Sequence, residues 1–310
     1  MPRLTHVIAT AAAALALTAA VAVPAAAADR PTAAPKGAEY YLSLGDSLSV
    51  GVQPNAKGVD LETDQGYADQ LYKILKGANS DLQLVKLGCP GETSATLNKG
   101  GLCSYKADER VSLTAPSGSQ LAAALAFLHA HAGQVPLITI DIGANDLNAC
   151  IALGTIAKIA ACVPPVFAAL EKNLATTLAA VRAADPHATI AGMTYYDPYL
   201  ADWLTGKTGQ QFATGSILLA TDLNQVLTGV YKHAGAAVAD VFTAFDTSDL
   251  THFVTLPHIG KVPKDVALIC LWTYECAPKP VGPDEHANKQ GYAVIAATFA
   301  ATLRGIHFPV

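Results

Sequence analysis

Ser47, His286, Asn145 and Gly91 are the residues whose types and placement could together open an acyl bond. Ser47 follows the apolar run Tyr40-Tyr41-Leu42-Ser43-Leu44 and the pair Gly45-Asp46. The run predicts a buried strand, which puts the serine at its carboxyl end, where ligands and reactive groups collect in open α/β sheets. A serine at such a turn holds its hydroxyl clear of the backbone with peptide N–H groups close by. Read as a nucleophile, it needs a base to take its proton and donors to receive an oxyanion. By itself Ser47 would read equally well as a helix N-cap.

Two further strand ends supply candidate donors. Leu82–Leu87 reads as a strand running into Gly88-Cys89-Pro90-Gly91-Glu92-Thr93, and Pro136–Ile142 as a strand ending at Gly143-Ala144-Asn145-Asp146. If the first and third strands are neighbours, these ends face one volume. The N–H groups of Ser47 and Gly91 and the Asn145 amide would then point at a developing negative charge. Glycine at 91 leaves no Cβ to obstruct a substrate.

The base must be one of nine histidines. His129 and His131 fall near the end of an alanine-rich helix, where they complement the helix dipole. His187, His233 and His307 read as surface positions, and His252 and His258 lie in a long irregular segment. His286 is best placed, in the loop Gly282-Pro283-Asp284-Glu285-His286-Ala287-Asn288 that opens the last helix.

Gly45-Asp46-Ser47-Leu48, Pro90-Gly91-Glu92-Thr93, Gly143-Ala144-Asn145-Asp146 and His286-Ala287-Asn288 with Gly291-Tyr292 resemble the four blocks of the SGNH, or GDSL, hydrolases, in that family's order. The cysteine layout and the N-terminus resemble the family's secreted actinobacterial lipases and esterases. The resemblance implies a flavodoxin-like sheet and serine ester hydrolysis without a cofactor. It assigns Ser47 as nucleophile, Gly91 and Asn145 as oxyanion donors and His286 as base. Many relatives carry an aspartate three residues before the histidine, where this chain has Pro283. Asp284 is one residue nearer. Either Asp284 orients the imidazole, or a backbone carbonyl near residues 283–284 does so and leaves a Ser–His dyad. The same machinery would serve an esterase, a lipase, a carbohydrate acetylesterase or a phospholipase. A secreted binding protein on the same fold, without turnover, is the reading of a different class.

The elements that position these residues alternate. Strands are expected at Tyr40–Leu44, Leu82–Leu87, Pro136–Ile142, Ala188–Met193 and Ala236–Val241. Helical spacing recurs at Tyr67–Leu75, Leu121–His131, from Pro164 to Ala184, at Ile217–Tyr231 and at Asn288–Leu303. The alternation argues for a three-layer α/β/α sandwich with a five-stranded parallel sheet, as one domain over 29–310 with loop insertions. Residues 51–65, 100–119, 146–163 and 242–284 read as irregular segments around the site. Leu147, Ile151, Phe253 and Trp272 are candidates for an acyl-binding wall.

Charged residues make up 15% of the 310, with a formal net charge of −5 and no basic stripe. That excludes a nucleic-acid partner. There is no Gly-x-Ser-x-Gly elbow, dinucleotide fingerprint or P-loop. Residues 1–28 read as a secretory signal: Arg3, an apolar Ile8–Val23 and the small run Ala26-Ala27-Ala28 before Asp29. Six cysteines in an exported chain imply disulfides, and proximity favours Cys89–Cys103, Cys150–Cys162 and Cys270–Cys276. Asp60, Glu62 and Asp64 lack the spacing of a calcium loop, so no metal is expected. A secreted monomer acting on a small-molecule or lipid ester, with no membrane segment in the mature chain, is the resulting expectation.

Overall fold

The computed structural model describes residues 37–103 and 118–310. The expected secretory signal and most of the insert after Cys103 lie outside the described residues. Five strands form the central sheet: β1 (Glu39–Gly45), β2 (Leu82–Lys86), β3 (Leu137–Asp141), β4 (Thr189–Met193) and β5 (Ala237–Ala239). Their order is β2-β1-β3-β4-β5 and every pairing is parallel. Tyr41 sits in register with Leu84 on one side and Leu137 on the other. β1 is buried from Tyr41 to Gly45 and β3 throughout, as expected of parallel strands covered on both faces.

The main helices are α1 (Tyr67–Lys76), α2 (Ser94–Lys99), α3 (Gln120–Ala130), α4 (Ile156–Ala184), α5 (Lys207–His233), α6 (Lys264–Trp272) and α7 (Lys289–Gly305), with single turns at Asn148–Ile151 and Val241–Ala244. α1 packs on α7, with Tyr67 stacked on Phe299 at 5.0 Å. α4 packs against both α3 and α5. The result is the three-layer sandwich, and residues Gly37–Val310 form one unit. Full burial of side chains such as Leu71, Leu174, Leu227 and Phe299 contributes about 1.5–3 kcal/mol each.

The order of the sheet sets the site. From β1 the chain moves outward to β2, then returns to place β3 on β1's other edge. The adjacent carboxyl ends of β1 and β3 are therefore the point where the winding reverses, and a crevice opens there.

Several elements differ from the sequence expectation. α4 begins at Ile156, so Pro164 and Pro165 lie inside the helix and do not open it. Its early turns are tied by Cys150–Cys162 to the short helix Asn148–Ile151. α5 begins at Lys207, ten residues before the apolar spacing becomes regular. Segment 242–284, expected to be irregular, holds α6 and an antiparallel ribbon of Phe253–Leu256 with Gly260–Pro263. In segment 51–65, Gln53–Pro54 pairs with Asp60–Leu61. The remaining disulfides are Cys89–Cys103 and Cys270–Cys276. Among the described residues no helix is long and apolar enough to cross a membrane.

Candidate active site

Ser47 opens the turn that follows β1, and Asp46 builds that turn. The Asp46 carboxylate accepts from the Leu48 N–H at 2.9 Å and from the Tyr195 hydroxyl at 2.7 Å. The Asp46 carbonyl accepts from Ser49 Oγ at 2.6 Å, and Val52 N–H closes back on the Ser47 carbonyl at 3.0 Å. Gly45 is at φ +135°, and a Cβ there would overlap the carbonyl of Asp141, so only glycine lets β1 run this close to β3. Burial, with the neighbouring Asp46 carboxylate, pushes Asp141 well above the usual carboxylate range. Burial raises Asp46 as well, while the Leu48 N–H and the Tyr195 hydroxyl oppose that shift by donating to its carboxylate.

Asn145 begins the 3-10 turn after β3. Its Nδ2 donates to the Glu92 carbonyl at 3.0 Å, and its Oδ1 accepts from Asn148 Nδ2 at 3.0 Å. These two bonds fix the amide's orientation, and an Asn amide has a second N–H to offer. The bond to Glu92 also ties Asn145 to the loop holding Gly91, where φ is +79°. Asp146 adds a second tie by accepting from Ser94 N–H and Ser94 Oγ, at 2.8 and 2.6 Å.

His286 precedes α7. The Asp284 Oδ1 accepts from its backbone N–H at 2.9 Å and lies 3.0 Å from its Nδ1. Both side chains are mostly buried, 12% exposed for His286 and 17% for Asp284. A scaffold from residues 271–274 carries this loop. Tyr274 N–H donates to the His286 carbonyl, Asp284 N–H to the Tyr274 carbonyl and Asn288 N–H to the Trp272 carbonyl, at 3.1, 3.2 and 2.9 Å. Asn288 caps α7 through Gln290 and Gly291, and a Cβ at Gly291 would overlap the Trp272 carbonyl. The Tyr196 hydroxyl grips the Glu285 carbonyl at 2.7 Å.

Burial lowers the basicity of the His286 imidazole. The hydrogen bond and charge of Asp284, with the charges of Glu285 and Asp60, outweigh it and hold the group above its ordinary value. Asp284 is itself held below the usual carboxylate range: burial opposes this, and the bond and charge of His286 prevail. Asp60, Asp284 and His286 present ligand atoms within 4.8 Å of one another. Among the described residues this is the set that could approach a cation, but its Asp284 oxygen is already shared with the imidazole.

Ser47, Asn145 and His286 line one pocket, with a cavity of about 90 Å³. Gly91 and Asp284 do not line it. Asp284 stands behind the imidazole, and Gly91 adjoins the residue that Asn145 grips. His252 is drawn elsewhere, exposed and paired with Asp249 at 2.8 Å. Of the expected acyl wall, Leu147 and Ile151 line the pocket. Phe253 is exposed on the ribbon under Lys261, and Trp272 packs edge-on against Phe245. The rest of the wall is Tyr195, Tyr196, Tyr199, Leu219 and Leu223. The sequence signal for Tyr195 and Tyr196 is the loop Thr194–Pro198 at the carboxyl end of a fourth strand; Leu219 and Leu223 come from α5.

One supporting residue had no motif to announce it. Gln120, fully buried at the start of α3, accepts from Gly45 N–H at 2.6 Å and donates to the Gly45 carbonyl at 2.8 Å. Its Nε2 also reaches Glu92 Oε2 at 3.1 Å. One amide therefore ties the strand end before Ser47 to the loop of Gly91.

A parallel 2-1-3-4-5 sheet with serine, carboxamide and imidazole gathered at its switch point defines a hydrolase of the three-layer α/β/α type. The chain belongs to the GDSL-like lipase/acylhydrolase family, whose model matches residues 43–294, and with that family it is a carboxylic ester hydrolase. Among solved structures the fold is similar to that of a phospholipase A1 from Streptomyces albidoflavus (19% identity, 86% of this chain and 100% of that one, TM-score 0.54). It is also similar to that of an extracellular lipase from Streptomyces rimosus (16% identity, 86% and 100%, TM-score 0.53). No curated protein matches the chain.

Proposed function

We propose that this chain is a secreted serine esterase or lipase that works through an acyl-enzyme on Ser47. The observation that carries this reading is that Ser47, Asn145 and His286, from three distant parts of the sequence, share the wall of one pocket. The Ser47 hydroxyl adds to the ester carbonyl carbon while His286 Nε2 takes its proton. The tetrahedral oxyanion is held by the N–H groups of Ser47 and Gly91 and by the free N–H of Asn145. Collapse expels the alcohol, which leaves with the proton from His286. Water then adds to the acyl-enzyme with the same imidazole as base, and the acid departs.

Asp284 acts as the orienting carboxylate. Its contact with Nδ1 supports a triad over a dyad: it fixes the tautomer that leaves Nε2 free to accept, and it stabilises the imidazolium. Three disulfides suit an oxidising compartment, and with the signal-like residues 1–28 they support export with cleavage near Ala28–Asp29. The chain is taken to act as a monomer.

The test is rapid-mixing kinetics on p-nitrophenyl butyrate. An initial burst of nitrophenol stoichiometric with enzyme, abolished in Ser47→Ala, is the expected result. Undiminished turnover by Ser47→Ala would end the proposal.

A further inference from the structure

The Ser47 pocket is small, about 90 Å³, below the roughly 300–1,000 Å³ typical of pockets that enclose a small organic ligand. A second cavity of about 610 Å³ lies against it, between α4 and α5. Ile151, Tyr199, Ser216 and Leu219 line both. We propose that this second chamber is an acyl-chain channel, so that the acyl group leaves the Ser47 pocket between Tyr199 and Leu219 and long-chain acyl esters are the preferred substrates. The inference rests on Ser47 being the acylated residue.

The channel's chemistry fits a hydrocarbon chain. Ile159, Val163 and Phe167 from α4 face Phe212, Leu218 and Val226 from α5. No lysine or arginine lines it, and its polar lining is Tyr199, Ser216, Asp222 and Gln225, so no cation there would pair with a free carboxylate or a phosphate. Of the two hydroxyls on the shared wall, Tyr199 and Ser216, that of Ser216 is committed to Asp197 at 2.5 Å. Leu218 is 70% exposed and marks the channel's open side. An apolar groove continuous with a nucleophile's pocket is filled by whatever is attached to the reacting carbonyl. Each methylene taken from water into it would favour binding by up to about fourfold.

Gly215 gives a direct test. It lines the second chamber but not the first, and a Cβ added to it meets no heavy atom within 4 Å. Gly215→Trp therefore adds an indole at the chamber's wall with no clash at its Cβ. The measurement is kcat/KM on p-nitrophenyl butyrate, octanoate and palmitate in detergent. The wild type is expected to improve steadily with chain length. Gly215→Trp is expected to keep its butyrate rate within about twofold and to lose at least about tenfold on palmitate, on the order of two buried methylenes' worth. Leu218→Asp, at an exposed position, is expected to lower palmitate selectively as well, by placing a charge at the channel's open side.

Wild type that hydrolyses butyrate and palmitate equally would overturn the channel, as would variants that lose or keep both esters in parallel. Absence of turnover on every ester, butyrate included, would instead remove the ester-hydrolase reading and this inference with it.

Discussion

Asp284 and His286 are bound twice by a single oxygen. Asp284 Oδ1 accepts the backbone N–H of His286 at 2.9 Å and meets its Nδ1 at 3.0 Å. A carboxylate only two residues upstream reaches the imidazole because the intervening backbone folds over it. The consequence is a raised imidazole pKa. His286 must be neutral to act as base, so activity rises with pH as the imidazole loses its proton. The acid limb of kcat/KM is expected above the pH at which an ordinary histidine titrates. Asp284→Asn removes the charge and should move that limb to lower pH while cutting kcat by roughly 10²–10⁴. A pH profile that does not move would show that the carboxylate does not act on the imidazole.

The amide of Asn145 is oriented by Glu92 and Asn148, which leaves one N–H directed by that geometry. Asn145→Ala is expected to lower kcat by about 10²–10³ with little change in KM, the pattern for a donor engaged only in the transition state. Steady-state kinetics on one short ester measures it, and a loss confined to KM would contradict the role.

Gln120→Leu tests the tie between β1 and the Gly91 loop. It leaves the Gly45 N–H buried without its Gln120 partner, which costs about 1–3 kcal/mol, while the Gly45 carbonyl keeps the Cys89 N–H at 3.1 Å. Denaturant unfolding should show a loss of about 1–3 kcal/mol. The variant's kcat should also fall at temperatures where it remains folded, because the tie spans both sides of the site.

Burial pushes Asp197 up to about 7, against the hydrogen bonds from Ser216 and Tyr199. A carboxyl whose folded pKa is raised binds more protons folded than unfolded. Its contribution to stability is complete below the ordinary carboxylate value and is lost as pH rises through about 7. Wild type should therefore lose stability relative to Asp197→Asn as pH rises from about 4 to about 7. Melting temperatures across that range check it, and a parallel pair of curves would contradict it.

The sheet and the site were legible in the sequence to different depths. β1 and β3 announced themselves as apolar runs ending in Gly-Asp-Ser and Gly-Ala-Asn-Asp, because a fully buried parallel strand must be apolar on both faces. α4 was misplaced at its start because Pro164-Pro165 is ordinarily a helix-opening signal. Here the chain is already helical from Ile156. α6 and the Phe253–Pro263 ribbon are hidden because neither shows a strong period: half of the ribbon is exposed without alternating cleanly, and the apolar residues of α6 do not gather on one face. Gln120 was invisible for a deeper reason. A lone buried glutamine has no spacing signature, and its value comes from a contact 75 residues away. The sequence leaves the imidazole's partner open between Asp284 and a backbone carbonyl, since one residue's shift in spacing can be absorbed only by a backbone path that the sequence does not display.

The most direct measurement is covalent labelling. Fluorophosphonate reacts with a serine only when a base and an oxyanion site act on it together. Treated with such a probe, digested and analysed by mass spectrometry, the wild-type chain is expected to carry a single adduct on Ser47, with none on Ser47→Ala and a much slower adduct on His286→Ala. An adduct on a different residue, or labelling that proceeds unchanged without His286, would contradict the account.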